Sequence, residues 1–379
     1  METLVVPQGT FSLSRYPVRQ QETLRAWDAA DEYLLNYLFD QQLLTIDSRV
    51  LLLNDSFGAL ACALADYQTL SVSDSFIAQQ GMRNNLKLNQ QNPDAVLFHH
   101  SLMDYGTSDK PYNIVLLKIT KSLAQLEDQL HRIRPYVDEN TIIIAAGMVK
   151  AIHRSTLQLF DTIIGQTTTS LARKKARLIF STFNPALTPP ENNYPKSYPL
   201  ENTPYQILNH ANVFSRERLD IGTRFLIEHL PVDQRYQRIV DLGCGNGIVG
   251  LMAATANPNA TISFVDESYM AVASAKANFK NAFPDRTAEY SVTDCLNGIS
   301  PASCDLILNN PPFHQQNAIG DFIAWQMFNE SKTALKQGGE LWVIGNRHLN
   351  YHIKLKKLFG SCETIASNKK FVVLKAIKK

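Results

Sequence analysis

The sequence is poor in the features that mark metal sites, secretion and membranes. Its five cysteines (Cys62, Cys244, Cys295, Cys304, Cys362) form no CxxC pair and no ladder spacing, which excludes a zinc ribbon and a disulfide framework. The nine histidines include no HExxH grouping, so no metal cofactor is expected. No apolar run approaches the roughly 20 residues of a membrane span, and Met1 is not followed by a basic cluster with an apolar core. The chain therefore reads as reduced, cytoplasmic and free of membrane. An excess of one charge is also missing, since 37 basic and 35 acidic side chains leave a net charge of +2, and bulk electrostatics name no partner. Only the end departs from balance. From Asn350 onward there are eight lysines and one acid, Glu363, a tail that can attract phosphates or be an ordinary solvated terminus.

What is present is enough chain for two domains, with ordinary globular composition. A break falls at 181–204, which carries Pro185, Pro189, Pro190, Pro195, Pro199 and Pro204. Proline fixes its own φ and biases the preceding residue towards extended backbone, so this stretch is expected to be a stiff, non-helical connector between domains at 1–180 and 205–379. On both sides, short β-branched runs alternate with longer amphipathic segments, the pattern of βαβ units and a parallel sheet.

In the C-terminal half the pattern predicts strands at 238–242, 261–266, 303–309 and 340–345, and a closing hairpin of 362–367 with 370–377. Helices are expected at 248–256, from Ser268 to about Ala282, and at 322–336, the last stopped by Gly338 and Gly339. The N-terminal half repeats the order. Arg49-Val-Leu-Leu-Leu-Asn-Asp-Ser-Phe-Gly58 lies over Arg238-Ile-Val-Asp-Leu-Gly-Cys-Gly-Asn-Gly247 without a gap. Ser75–Ala78 then lies over Ser268–Ala271, Asn85 over Asn278, and Asn113–Leu117 over Asp305–Asn309. Agreement over this length argues for an internal duplication.

The chemistry is concentrated in the second half. Val240-Asp-Leu-Gly-Cys-Gly-Asn-Gly247 is a strand entering a glycine-rich turn, where Gly243 and Gly245 let backbone pass close beneath a ligand. Asp266 ends the next strand about 20 residues later, as a ribose-binding acid does. Asp294 follows a third strand, where it can accept from an adenine amine or serve as a turn aspartate. Asp305-Leu-Ile-Leu-Asn-Asn-Pro-Pro-Phe313 is an apolar strand ending in Asn310 and two prolines. Those prolines hold the Asn310 side chain and the Pro311 carbonyl rigidly at the strand's C-terminal edge, where open α/β sheets bind ligands. Two fixed acceptors suit an –NH2 group, and Phe313 can stack on a planar base.

These motifs at these spacings resemble class I methyltransferases acting on exocyclic amines. The repeated architecture and the lead-in Val213-Phe-Ser-Arg-Glu-Arg-Leu-Asp-Ile-Gly-Thr-Arg-Phe225 resemble the bacterial ribosomal RNA guanine-N2 methyltransferases. Ala26-Trp-Asp-Ala-Ala-Asp-Glu-Tyr-Leu34 resembles the branch that modifies large-subunit RNA. The resemblance implies an α/β chain of two tandem Rossmann-like domains, the first degenerate, acting on 23S RNA as a monomer with S-adenosyl-L-methionine. It also implies that Asp241, Gly243, Gly245, Asp266, Asp294 and Asn310 bind the cofactor, while Asn310, Pro311 and Phe313 handle the base.

In the first half Leu52, Asn54 and Ser56 stand at the places of Asp241, Gly243 and Gly245, Ser73 at that of Asp266, and Lys118-Ile-Thr-Lys121 at that of Asn310–Phe313. That half is either an RNA-positioning platform or a structural lid. Arg173-Lys-Lys-Ala-Arg177 in it is a candidate phosphate contact or a solvated helix face. Three other functions are open: a small-subunit RNA guanine-N2 methyltransferase, a protein glutamine methyltransferase, whose usual small helical N-terminal domain is missing here, and a non-catalytic RNA-binding protein, which has no need of Asn310–Phe313.

Overall fold

The leucine- and isoleucine-rich runs become the central strands of two seven-stranded sheets, one in each of two units, Met1–Tyr194 and Pro195–Lys379. The computed structural model describes residues 2–19, 22–106, 110–312 and 318–379, without the side chains of 318–321.

The first unit opens with a hairpin of β1 (Glu2–Val6) and β2 (Gly9–Leu13), followed by α1 (Ala29–Asp40). Then come β3 (Arg49–Leu53), α2 (Ala59–Ala63), β4 (Gln68–Ser73), α3 (Phe76–Leu88), β5 (Val96–His100), β6 (Ile114–Lys118) and α4 (Leu123–Ile133). The unit ends with β7 (Ile142–Met148), α5 (Arg154–Ile163), β8 (Thr167–Thr169) and β9 (Ala176–Ser181). Its sheet runs β5-β4-β3-β6-β7-β9-β8, parallel except at β9. Val50–Leu53 and Ile114–Leu117 are fully buried, as parallel strands covered by helices on both faces must be.

The second unit begins with a hairpin of β10 (Lys196–Pro199) and β11 (Gln206–Asn209), whose first strand lies inside the expected connector and whose second lies just past its end. It continues with α6 (Ile221–Ile227), β12 (Arg238–Leu242), α7 (Ile248–Ala256), β13 (Thr261–Asp266), α8 (Tyr269–Ala282), β14 (Glu289–Val292) and β15 (Cys304–Asn309). α9 (Ala318–Ala334), β16 (Leu335–Asn346), α10 (Tyr351–Phe359), β17 (Glu363–Ser367) and β18 (Phe371–Ile377) complete it. The sheet order is β14-β13-β12-β15-β16-β18-β17, matching the first strand for strand, with β18 antiparallel.

The likeness extends to single side chains. Ser75 and Ser268 each cap a helix by accepting the N–H three residues on, both at 3.1 Å. Asn85 clamps Ser14, accepting its N–H at 3.0 Å and donating to its carbonyl at 2.8 Å, while also donating to the Phe57 carbonyl. Asn278 clamps Leu208 in the same way at 2.7 and 2.9 Å, and donates to the Asn246 carbonyl.

Two expectations are corrected. Helix α9 stops at Ala334, and Gly338 and Gly339 lie within β16 instead of ending a helix. Leu335 already pairs with Cys304, and the ladder then shifts register before Glu340 pairs with Leu306. The glycines are held there by bonds between Gly338 N and Lys378 O and between Lys378 N and Gly339 O. Arg173–Arg177 is not a helix face either. It spans the turn from β8 into β9, with positive φ at Lys174 and Lys175, because the two strands pair antiparallel and must reverse there.

Candidate active site

In the second sheet β12 is flanked by β13 on one side and β15 on the other, so the chain's winding reverses between β12 and β15. Ligands of doubly wound sheets bind at the carboxyl ends of the strands at such a switch point. Leu242 and Asn309 are paired there, so Gly243 and Asn310 leave the sheet side by side. A Cβ on Gly243 would lie 4.0 Å from the Asn310 carbonyl oxygen and 3.4 Å from Met327 Cε.

The turn is tied to the neighbouring strand by the N–H groups of Gly243 and Cys244, which both donate to the Val265 carbonyl, at 2.8 and 3.0 Å. Gly245 has φ +53, and a Cβ there would meet none of the described residues within 4 Å, so among them its outer face is open. Gly247 serves packing, since a Cβ would lie 2.7 Å from that of Ala275. The Gly245 N–H donates to Asp266 Oδ2 at 2.9 Å, and Asp266 Oδ1 accepts from Ser268 N at 3.0 Å. The backbone thus aims the acid.

Asp241 is placed differently. It is buried within β12, and its Oδ2 accepts from Gly250 N in α7 at 2.8 Å. Burial pushes its pKa up to about 8, with the Gly250 N–H opposing and the nearby Asp266 charge adding to the rise. It braces the turn from behind.

Asp294 follows β14 and accepts from Gln326 Nε2 of α9 at 3.1 Å. Its loop is fixed at both ends: Thr293 N donates to the Asp266 carbonyl at 2.9 Å, and Leu296 N to Glu330 Oε2 at 2.8 Å. Burial raises the Glu330 pKa.

Asn310 Nδ2 donates to Thr223 Oγ1 of α6 at 3.0 Å. Its Oδ1 is buried and has no hydrogen-bond partner among the described residues. A buried amide oxygen left unpaired costs about 1–3 kcal/mol, so this one invites a donor from outside the chain. Pro311 is buried beside it, and Phe313 lies outside the described residues. The structure therefore gathers Gly243, Gly245, Asp266, Asp294 and Asn310 around one sheet edge.

Thr223 lies inside the lead-in Val213–Phe225 but is not singled out there, and Gln326, Met327 and Glu330 lie outside the motifs read in the sequence. Asp220-Ile-Gly-Thr223 carries a legible sign, an Asx cap three residues before a second polar side chain. The α9 residues carry none. Among the described residues no His, Cys, Asp or Glu cluster is placed to hold a metal, and no helix is long and apolar enough to cross a membrane.

Comparison with known proteins finds relatives over the whole chain. Residues 1–185 match the RLMG N-terminal domain and residues 204–375 the methyltransferase small domain. A protein from Klebsiella pneumoniae named ribosomal RNA large subunit methyltransferase G is 51% identical over 97% of this chain and 96% of its own. Proteins of the same name from Erwinia tasmaniensis and Streptomyces avermitilis are 50% and 48% identical over the full length of both chains. Among solved structures, the T. thermophilus 16S rRNA N2 G1207 methyltransferase, in complex with AdoMet and guanosine, superposes with a TM-score of 0.77. It is 19% identical, over all of this chain and 98% of that one, and the fold is shared.

Proposed function

The chain belongs to the ribosomal RNA large subunit methyltransferase G family, and we propose that it methylates the exocyclic N2 amine of a guanine in 23S ribosomal RNA. The observation that carries the amine chemistry is Asn310 Oδ1, buried beside the glycine turn with no hydrogen-bond partner among the described residues. A binding protein that performs no chemistry gains nothing from an acceptor kept vacant at that cost.

S-adenosyl-L-methionine, the methyl donor, supplies an electrophilic sulfonium methyl when bound. The residues present fit it: Gly245 is open on its outer face, and Asp266 is presented by the turn itself. Gly243 and Gly245 would let it lie close against the turn, Asp266 would accept from its ribose hydroxyls and Asp294 from its adenine amine, and Asn310 would stand next to it. Asp241 serves this group through Gly250 and the turn.

Asn310 Oδ1 and the Pro311 carbonyl accept the two amine hydrogens, which directs the nitrogen lone pair away from the protein and towards the methyl group. Phe313 stacks on the base, which has left its helix or loop to enter. No side-chain general base is needed, because the nitrogen becomes strongly acidic as it takes up the methyl group.

The matching strand orders and the paired Asn85 and Asn278 clamps support descent from a duplication, the first copy having lost its site. The layout is a platform for RNA at 1–180, a connector at 181–204 and a catalytic domain at 205–379, working as a cytoplasmic monomer. In the turn after β8, Arg173 stacks over Tyr33 and Lys174 pairs with Glu32, which leaves Lys175 as the cation best placed for phosphate.

Mapping N2-methylguanine in ribosomal RNA from a deletion strain tests the substrate. The expected result is the loss of one modified guanine in 23S RNA and its return with the wild-type gene. A loss confined to 16S RNA, or to a methylated protein glutamine, overturns the assignment.

A further inference from the structure

The amide of Asn310 can face the substrate with either its oxygen or its NH2, and only the oxygen can accept from an amine. We infer that Asp220 and Thr223 set that choice, making Thr223 a positioning residue for methyl transfer. The inference rests on the reading of Asn310 as the amine acceptor.

Three contacts carry it. Asp220 caps α6, its Oδ2 accepting from Thr223 N at 2.8 Å. The same oxygen accepts from the Thr223 hydroxyl at 3.3 Å. Asn310 Nδ2 then donates to Thr223 Oγ1 at 3.0 Å. A hydroxyl has one proton to give, and a carboxylate can only accept. With its proton committed to Asp220, Thr223 presents a lone pair to Asn310, and only the NH2 side of the amide can answer it. The Oδ1 is thereby turned to the opposite side, where no described residue offers it a donor. A reversed hydroxyl would accept nothing from Asn310 and would bond its oxygen instead, removing the acceptor from the reaction.

The first unit has the same two positions joined by a different chemistry. Asp28 caps α1, Asp31 is the third helical residue as Thr223 is in α6, and Lys118 ends β6 where Asn310 follows β15. There Lys118 Nζ contacts Asp31 at 2.6 Å and Asp28 at 2.9 Å, so the strand end presents a cation in place of an amide acceptor. The helix start and the strand end are in contact in both units, but only the second holds a neutral, directional pair.

The test measures kcat, RNA KM and S-adenosylmethionine affinity on the full chain for Thr223→Val, Thr223→Ser, Asp220→Ala and Asn310→Ala, with thermal melts to confirm folding. Valine keeps the shape and removes the hydroxyl, so kcat is expected to fall roughly 10- to 100-fold with KM and cofactor affinity near wild type. Serine restores the hydroxyl and should return kcat to within about threefold. Asp220→Ala keeps the hydroxyl but frees its proton, and should lower kcat in the same direction as valine. Normal turnover in Thr223→Val alongside a disabled Asn310→Ala overturns the inference. So does a Thr223→Val chain whose chief defect is cofactor affinity. An active Asn310→Ala chain instead removes the acceptor reading beneath it.

Discussion

Gly245 and Asp266, 21 residues apart, are joined by a 2.9 Å bond from the glycine N–H to the acid's Oδ2. Turn and acid form one unit, so Asp266→Ala should remove a ligand contact and also free the turn. A hydrogen bond to a charged group contributes about 1.5–3 kcal/mol, so S-adenosylmethionine affinity should fall roughly 10- to 100-fold. Asp266→Asn keeps an acceptor for Gly245 and should fall between. Calorimetry on the full chain reads this, and unchanged affinity in Asp266→Ala takes the residue out of the site.

Asn310→Ala should leave the cofactor bound and methyl transfer slow. Loss of one preorganised polar contact can cost roughly 10²–10³ in rate. Single-turnover methylation with saturating cofactor separates the chemical step from binding, and a near-normal rate assigns the amine to another residue.

Much of this site was legible because its residues are contiguous with strands whose composition is unmistakable. Val240-Asp-Leu-Gly and Leu306-Ile-Leu-Asn-Asn-Pro-Pro announce buried strands and the turns that leave them, and the sheet edge brings their ends together. Gln326 and Met327 were not legible as site residues because their relevance comes from tertiary packing of α9, which leaves no mark on local periodicity. Thr223 was legible only as part of a capped helix start, its contact with Asn310 being tertiary. Gly338 and Gly339 misled for a related reason. A glycine pair ends a helix in isolation, but here Lys378, almost 40 residues on, captures their backbone into a strand. Asp241 was read as a ligand contact from its motif, whereas its carboxylate points back to Gly250.

That placement of Asp241 has a pH signature. Burial moves its pKa from 3.8 in the unfolded chain up to about 8 in the folded one. Between those values the folded state holds a proton that the unfolded state has released, so this contribution to stability is present below about pH 4 and is lost as pH rises to about 8. Asp241→Asn keeps an acceptor for Gly250 without a charge to bury. Its unfolding free energy, measured by denaturant at pH 5 and pH 8, should decline less than that of the wild type. Equal slopes would remove Asp241 as the source.

The first unit should bind no cofactor, and the reason lies in two side chains. Asn54 has positive φ, as Gly243 does, and its N–H bonds the Val72 carbonyl as Gly243's bonds Val265. Its side chain then fills the place the glycine leaves open, donating to the Lys118 carbonyl at 3.0 Å and exchanging bonds with Gln129 at 2.9 and 2.8 Å. Next to it Lys118 is held charged: burial lowers its pKa, but Asp31 and Asp28 more than offset that. Titration of the full chain should accordingly find one class of site, abolished by changes in the second unit alone. The ion pair can be tested separately. Lys118→Met leaves Asp31 buried without a counter-charge, and breaking such a pair costs about 3–5 kcal/mol, whereas replacing both partners by apolar groups is often neutral. Lys118→Met should therefore destabilise strongly, and Lys118→Met with Asp31→Leu should recover most of the loss, because the half-exposed Asp28 is solvated on its own. Denaturant unfolding of the two variants decides it. If the double variant is no more stable than the single one, the cost of removing Lys118 does not come from leaving Asp31 unpaired.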